Sequence, residues 1–392
     1  MIHKNKKFDI AVVGAGPAGI AFACGFIGSN IKVAIIDKLP KKVIANPKID
    51  GREIALTHHS VKILKKLNVW NYIPNNLIST IKKARVLDGD SRYFLNFDHQ
   101  EIQKDCLGYL IPNYVIKKSL YKRLKKSSNI SFIYRAECLT INTDQRFASI
   151  ELSNGEKIKT SLVVAADSRF SKIRSKMGIS AFTKNFNKNM IVCRMKHEKS
   201  HKNIAYEFFG YNQTQATLPY IKNQSGIVTT ADKHLTSDLM KMDNKEFNSK
   251  MENSFNNFFG KMRLVGKRYS YPMITTYTKK FVSNRFALIG DAAVGMHPVT
   301  AHGFNLGLKG SDILINEIKT AIKNKTDIGL TSVLDSYQSK LHRAAAPLYL
   351  ATNSIDNLYT SNILPAKLTR QFILRFVNTV KPIKQTFLNI LK

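Results

Sequence analysis

The chain has 392 residues, 44% of them hydrophobic and 10% aromatic, and carries a formal charge of +34. That length exceeds what one core usually serves, so two or three lobes are expected, and the apolar content excludes a disordered chain. The basic residues are scattered, as in "KKVIANPKIDGRE", and no nucleic-acid-reading motif is present, so nucleic acid is excluded as a partner while attraction to an anionic membrane is retained.

Cys24, Cys106, Cys138 and Cys193 lie far apart, without a CxxC pair or metal-ligand spacing. They read as small buried apolar residues in a reducing compartment, and no metal is expected. The first strand starts almost at once, leaving no room for a signal peptide, and no stretch approaches the roughly 18 uncharged apolar residues of a spanning helix. A cytoplasmic protein is expected, soluble or peripheral on the inner face of the cytoplasmic membrane.

In chain order, a strand over 8–13, a glycine turn, a helix over 17–27 and a strand over 31–36 make a βαβ unit. "VVGAGPAG" supplies Gly14 for the tight turn, Gly16 for close approach of a pyrophosphate and Gly19 for packing of helix on strand. The helix start presents free N–H groups to the anion, and Asp37 ends the second strand where a carboxylate can bond a ribose hydroxyl pair. The alternative is a packing turn in an unrelated α/β protein. One such fingerprint exists in the chain, so it is expected to hold a resident FAD, with any nicotinamide visiting without a domain of its own.

Residues 51–70 and 111–126 have helical spacing, with Ile63, Leu64 and Leu67 on one face, while "RYFLNF", "SFIYRAECLTI" and "ASIEL" read as strands. "LVVAADSRFSKIR" (162–174) runs a strand into Asp167, with Ser171 and Arg174 at a helix start. By itself this reads as a capped strand-to-helix turn with Ser168 or Ser171 as N-cap. From about 180 to 276 alternation and turns dominate, with one helical stretch near 238–259, as in an antiparallel-sheet lobe.

The stretch "GDAAVGMHPVTAHGFNLGLKGSD" (290–312) follows an apolar strand. Asp291 is placed to accept hydrogen bonds from sugar-alcohol hydroxyls, Pro298 sets a rigid turn, and Gly303 lets backbone approach a flat ring. The helix from Phe304 directs its N–H dipoles at a ring that becomes anionic on reduction. The tail from about 346 reads helical, with breakers at Pro365 and Pro382. Its stripe of Leu364, Leu368, Phe372, Phe376 and Val380 docks either on the protein's own core or on an anionic membrane.

With these motifs together, the chain resembles the flavoprotein aromatic hydroxylases related to para-hydroxybenzoate hydroxylase, and most of all the ubiquinone-biosynthesis hydroxylases among them. The first motif is matched at Gly14, Gly16, Gly19 and, with Asp for the usual Glu, Asp37. "DGREIALTHHSVKILKKLNVW" resembles that branch's segment around an arginine near the flavin, which carries over to Arg52. The DG motif is matched by "ADSRFSKIR" at Asp167, Ser171 and Arg174, where the family handles pyrophosphate and pyridine nucleotide. The third motif is matched at Gly290, Asp291, His297, Pro298, Gly303 and Asn305. The similarity spans roughly 8–345.

Departures are Ser168 for the DG glycine, Val294 for the first His of G-D-A-A-H, and Ala301-His302 for G-Q. Val294 implies that its position is not an essential acid–base. His302 either orients a phenol or is a loop histidine facing solvent or backbone.

The resemblance implies an α/β fold: an FAD-binding Rossmann-like domain of three-layer β/β/α architecture (1–75, 105–180 and 277–345), an antiparallel-sheet substrate domain (76–104 and 181–276) and a helical C-terminal segment (346–392). It implies an FAD-dependent monooxygenase in which NAD(P)H, or another donor, reduces FAD. Oxygen then gives a flavin C4a-hydroperoxide that hydroxylates the ring of a prenylated phenol or quinol precursor of ubiquinone. Pro298, His302 and Gly303 are the residues expected at the chemistry, and other ubiquinone-biosynthesis proteins are the expected protein partners. The rival reading is a same-fold flavoprotein of geranylgeranyl reductase type, acting on an apolar substrate without hydroxylation. The halogenases of this fold carry W-x-W-x-I-P, whereas the one tryptophan here, Trp70, lies in an unrelated segment.

Overall fold

Five apolar runs pair as parallel strands. In a computed structural model, which describes residues 5–88, 94–210, 213–297, 302–360 and 384, the strand Asn5–Val13 lies between Val33–Asp37 and Lys157–Ala165. Ile130–Tyr134 adds outside the former and Phe286–Leu288 outside the latter. The first four residues of Val33–Asp37, all of Phe286–Leu288 and the last four residues of Asn5–Val13 and of Lys157–Ala165 are buried on both faces and read as unbroken apolar runs. Ile130–Tyr134 and the first half of Lys157–Ala165 instead alternate buried residues with more exposed ones. Lys157–Ala165 divides its outer edge. Its first half pairs with the antiparallel hairpin Cys138–Thr143/Ala148–Leu152, and its last three residues pair with Phe286–Leu288. The hairpin thereby forms the extra β layer, while the helix Pro17–Cys24 packs against Asn113–Leu124 and His302–Lys323 on the sheet.

Two segments with helical spacing begin as strands. Residues 51–70 contain the strand Glu53–Leu56 before the helix His58–Lys66, which starts where Thr57 accepts from the Ser60 amide at 3.2 Å. Likewise 111–126 starts with the end of strand Gly108–Pro112, and its helix is Asn113–Leu124. These strands pair with each other, and Ser79–Ile81 completes a small three-stranded sheet. Pairing with a distant partner overrides the local period.

An eight-stranded sheet forms the second lobe. Its two longest members, Ala181–His197 and Met262–Thr278, pair antiparallel with shifts of register between Asn185/Asn189 and Val192/Arg194. Gln224–Asp232, Gln213–Pro219, Ile204–Phe209, Lys83–Asp88 and Phe94–Asp98 follow in spatial order, and Val294–Gly295 closes the other edge. The stretch inserted early in the chain thus contributes two strands to the later lobe.

Odd-numbered residues of the long strand, including Cys193 and Met195, pack with Phe247, Phe255 and Phe259 in a core of their own. Even-numbered Met190 and Val192 border the cavity described below. Two helices, Lys233–Lys241 and Asn244–Ser254, replace the single one expected near 238–259. The reciprocal capping of Asp243 and Glu246 starts the second.

The last described helix, Thr331–Thr360, starts well before the expected 346 and carries Pro347 inside it. The tail stripe and its breakers lie outside the described residues. Among the described residues no helix is long and apolar enough to cross a membrane, and no group of three His, Cys, Asp or Glu could hold a metal ion.

Candidate active site

The first strand ends in a turn that only glycine can make. Gly14 has φ +112°, and a Cβ there would stand 2.5 Å from the Ala166 carbonyl oxygen. At Gly19 a Cβ would stand 2.1 Å from the Gly14 oxygen, so this position too is dictated by packing of the helix on the turn. Gly16 differs: its nearest neighbour would be 3.8 Å away, and it faces open space at the start of the helix, followed by Pro17. Asp37 accepts the Ala15 amide on Oδ2 at 2.7 Å and the Leu39 amide on Oδ1 at 2.8 Å. Each oxygen keeps a lone pair for a ligand hydroxyl.

Gly14, Gly16 and Asp37 border a cavity of about 980 Å³ that also takes in Arg52, Asp167, Gly290, Asp291 and Gly303. Its far wall is apolar, formed by Met190, Val192, Leu218, Val228, Met296 and Ile54.

Asp167 stands at the cavity with both oxygens engaged. Ser171 Oγ donates to Oδ1 at 2.5 Å and the Ile173 amide to Oδ2 at 3.3 Å. Ser171 caps the following turn, accepting from the Arg174 amide at 2.9 Å, so the capped-turn reading holds at Ser171. Ser168 has φ +109°, in the region that favours glycine. That strain is worth about 1–3 kcal/mol. Ser168→Gly is therefore expected to stabilise the protein by about 1 kcal/mol, read as a higher thermal midpoint with FAD content retained. An unchanged midpoint would show that the neighbours relieve the strain.

Gly290 has φ +60° and a Cβ there would lie 2.7 Å from the Ala18 side chain, which brings the third motif against the glycine helix. Asp291 Oδ2 accepts from Arg169 Nη2 at 2.9 Å, and Arg169 Nη1 donates to the Ile274 carbonyl at 2.6 Å. Arg169 thus fixes the acid against the second lobe. No feature of "DSRF" marked it, because its partner is 122 residues away.

Arg174 has a different place from the one its motif suggested. It is buried, donates to the Ala292 and Arg169 carbonyls at 3.0 and 3.2 Å, and braces the Asp291 loop from behind. Asn305 is also a brace: its Nδ2 donates to the Ala55 carbonyl at 2.8 Å and its Oδ1 accepts the Thr57 amide at 3.1 Å.

Arg52 does border the cavity, paired with Asp50 at 2.6 Å and lying 5.2 Å from the Tyr271 ring centroid. Asn113 Nδ2 donates to Asp50 Oδ2 and Tyr271 Oη to the Asp50 carbonyl, both at 2.7 Å, locking this segment to both lobes.

His302 opens the helix His302–Lys323, and burial lowers its pKa below the ordinary histidine value, so it is neutral at neutral pH. Gly303 and Phe304 border the cavity, whereas His302 is not in its described lining. His297 does border it, with its ring edge-on to Phe186 at 4.8 Å. Pro298 lies outside the described residues.

One cavity joins the glycine turn to a helix entrance nearly 300 residues later and continues under an apolar sheet. That is the layout of the FAD-dependent monooxygenases. The chain belongs to the FAD-binding-domain family, whose model matches residues 7–351. Ubiquinone hydroxylase UbiM of Neisseria meningitidis is 41% identical over 381 residues, covering 96% of this chain and 83% of the relative. Ubiquinone hydroxylase UbiL of Rhodospirillum rubrum is 30% identical, covering 98% and 89%. The human mitochondrial ubiquinone biosynthesis monooxygenase COQ6 is 26% identical, covering 96% and 91%. Among solved structures, p-nitrophenol 4-monooxygenase PnpA from Pseudomonas putida shares the fold with a TM-score of 0.79, at 14% identity over 98% of this chain and 97% of that one.

FAD fits this site. A bare helix start at Gly16 suits the pyrophosphate, and two carboxylates, Asp37 and Asp291, keep acceptor capacity toward the cavity.

Proposed function

We propose that this chain hydroxylates the ring of a prenylated phenol or quinol precursor of ubiquinone, with NAD(P)H as the electron donor. The observation that carries the reading is the continuity of the cofactor cavity with the apolar wall of Met190, Val192, Leu218, Val228 and Met296. The relatives named as ubiquinone hydroxylases support it. Bound FAD supplies oxygen activation and transfer.

The protein's part is placement. Asp37 and Asp291 would hold cofactor hydroxyls, the amides of Gly16 and Ala18 at the helix start would meet phosphate charge, and Gly303 leaves room for a flat ring. The apolar wall excludes water and holds the substrate's ring and the root of its chain. Because such a substrate resides in a bilayer, the enzyme works as a peripheral protein on an anionic membrane, where each interfacial Lys or Arg adds about 1 kcal/mol. Other ubiquinone-biosynthesis proteins are its natural neighbours there.

The test supplies the FAD-loaded full chain with NADPH, 18O2 and 2-prenylphenol in anionic vesicles. The expected product carries one 18O atom on the ring, and its yield falls at high salt. A product that gains hydrogen instead, with no 18O, overturns hydroxylation in favour of a reductase.

A further inference from the structure

Glu53 stands out as a carboxylate buried in the cavity wall with half its acceptor capacity unused. It opens the strand Glu53–Leu56, one residue after Arg52, and crosses to the second lobe. There its Oε1 accepts from Arg194 Nε at 2.9 Å and Nη2 at 2.7 Å. The Arg194 guanidinium lies 4.0 Å from the Tyr220 ring centroid, which holds the pair in place.

The other oxygen, Oε2, has no hydrogen-bond partner among the described residues. It rests on Gly226, where a Cβ would come within 1.9 Å of it, and both residues border the cavity. Gly226 is thus the gap in the sheet surface through which the acid reaches its arginine. The Glu53 side chain is only 3% exposed, so water does not satisfy Oε2 from bulk. A buried acceptor left unmade costs about 1–3 kcal/mol, which a donor on a bound ligand would recover.

We propose that Glu53 Oε2 is the acceptor for the ring hydroxyl of the substrate and so fixes which hydroxylated rings the enzyme takes. This rests on the hydroxylase reading above. As the ring is attacked, its hydroxyl oxygen becomes a carbonyl and its proton passes to Oε2. When the ring loses its hydrogen to solvent and regains aromaticity, Glu53 returns the proton to oxygen. Glu53 therefore ends each turnover as it began, with Arg194 cationic throughout.

Burial pushes the Glu53 pKa up to about 7, against the pull of the Arg194 charge and its hydrogen bonds. The other titratable groups that feel it are Cys193 and Tyr220, both raised by burial and both protonated near neutrality. The acceptor form is therefore present above about pH 7 and lost below it.

The test uses the FAD-loaded full chain with 2-prenylphenol and its methyl ether as probes, read as a shift of the bound-flavin spectrum. At about pH 8.5 the wild-type protein should prefer the phenol by about ten- to a hundredfold, the ratio for a hydrogen bond to a charged group. The preference should fall towards one by about pH 6. Glu53→Gln presents a donor where Oε2 was, so it should bind both probes alike at every pH. Gly226→Ala keeps the charge but displaces the acid, and should lose the preference even if Glu53→Gln fails to fold.

Equal binding of phenol and ether by wild type, or a preference surviving in either variant, overturns the assignment of Glu53 alone. Binding of neither probe by wild type overturns the substrate class and this assignment with it.

Discussion

Gly14→Ala is expected to unfold at a markedly lower temperature and to hold no FAD, whereas Gly16→Ala folds normally and loses cofactor affinity alone. At Gly14 a methyl group meets the Ala166 carbonyl oxygen at 2.5 Å, in a backbone held at φ +112°. The obstacle is backbone, anchored where the Ala166 amide bonds the Val13 carbonyl at 2.8 Å, so it cannot swing aside. The combined clash and strain should cost about 3 kcal/mol or more. At Gly16 the nearest protein atom is 3.8 Å away and φ is −72°, so the stability change should stay within about 0.5 kcal/mol. The added methyl instead occupies the approach to the helix start. Losing one bond to a charged phosphate weakens FAD about ten- to a hundredfold. Thermal unfolding and a fluorescence titration with FAD separate the two effects. Equal destabilisation by both changes would mean that Gly16, too, serves only the fold.

Asp291→Ala should release FAD with little loss of stability. The Arg169–Asp291 pair is partly exposed, at 28% and 38% of the side chains, so solvent screens it and the pair contributes about 1 kcal/mol or less. Toward the cofactor the same carboxylate is an ionic acceptor facing the cavity, worth about 1.5–3 kcal/mol for each bond. Arg169→Ala leaves that carboxylate in place without its brace, so FAD should weaken less than in Asp291→Ala. Visible absorbance of the purified variants gives the cofactor content, and circular dichroism shows whether the strand end has kept its form. An Asp291→Ala protein that retains a full complement of FAD refutes the role.

What could be read from the sequence is what is local. The βαβ unit was legible because Gly14, Gly16, Gly19 and Asp37 fall within one strand–helix–strand, and because buried parallel strands announce themselves as apolar runs. Ser171 was legible as a cap for the same reason. The strand Glu53–Leu56 was not, since it abuts a true helix and owes its form to Gly108–Pro112, more than 50 residues on. Nor were the pairs Arg169–Asp291, whose members are 122 residues apart in the chain, and Glu53–Arg194, whose members meet only after both lobes are assembled. Arg174 shows the limit of a motif: its pattern suggested a nucleotide ligand, and burial turns it to carbonyls of its own chain. The break between the two helices after 241 was written in "DNKE", where Asp243 and Glu246 have the spacing of reciprocal caps.

The strand order also sets a timetable for biosynthesis. Asn5–Val13 is made long before its neighbour Lys157–Ala165, and that strand in turn waits for Phe286–Leu288. At about 5–20 residues per second, the roughly 275 residues between Val13 and Leu288 take about 15–55 s to make. For that interval the sheet is incomplete: Val33–Asp37 can pair with Asn5–Val13 early, but Phe286–Leu288 is still missing, and the cofactor has one acid, Asp37, but not the other, Asp291. A site with both acids exists only once Asp291 has been made, and until then the incomplete sheet is exposed to chaperones and to aggregation.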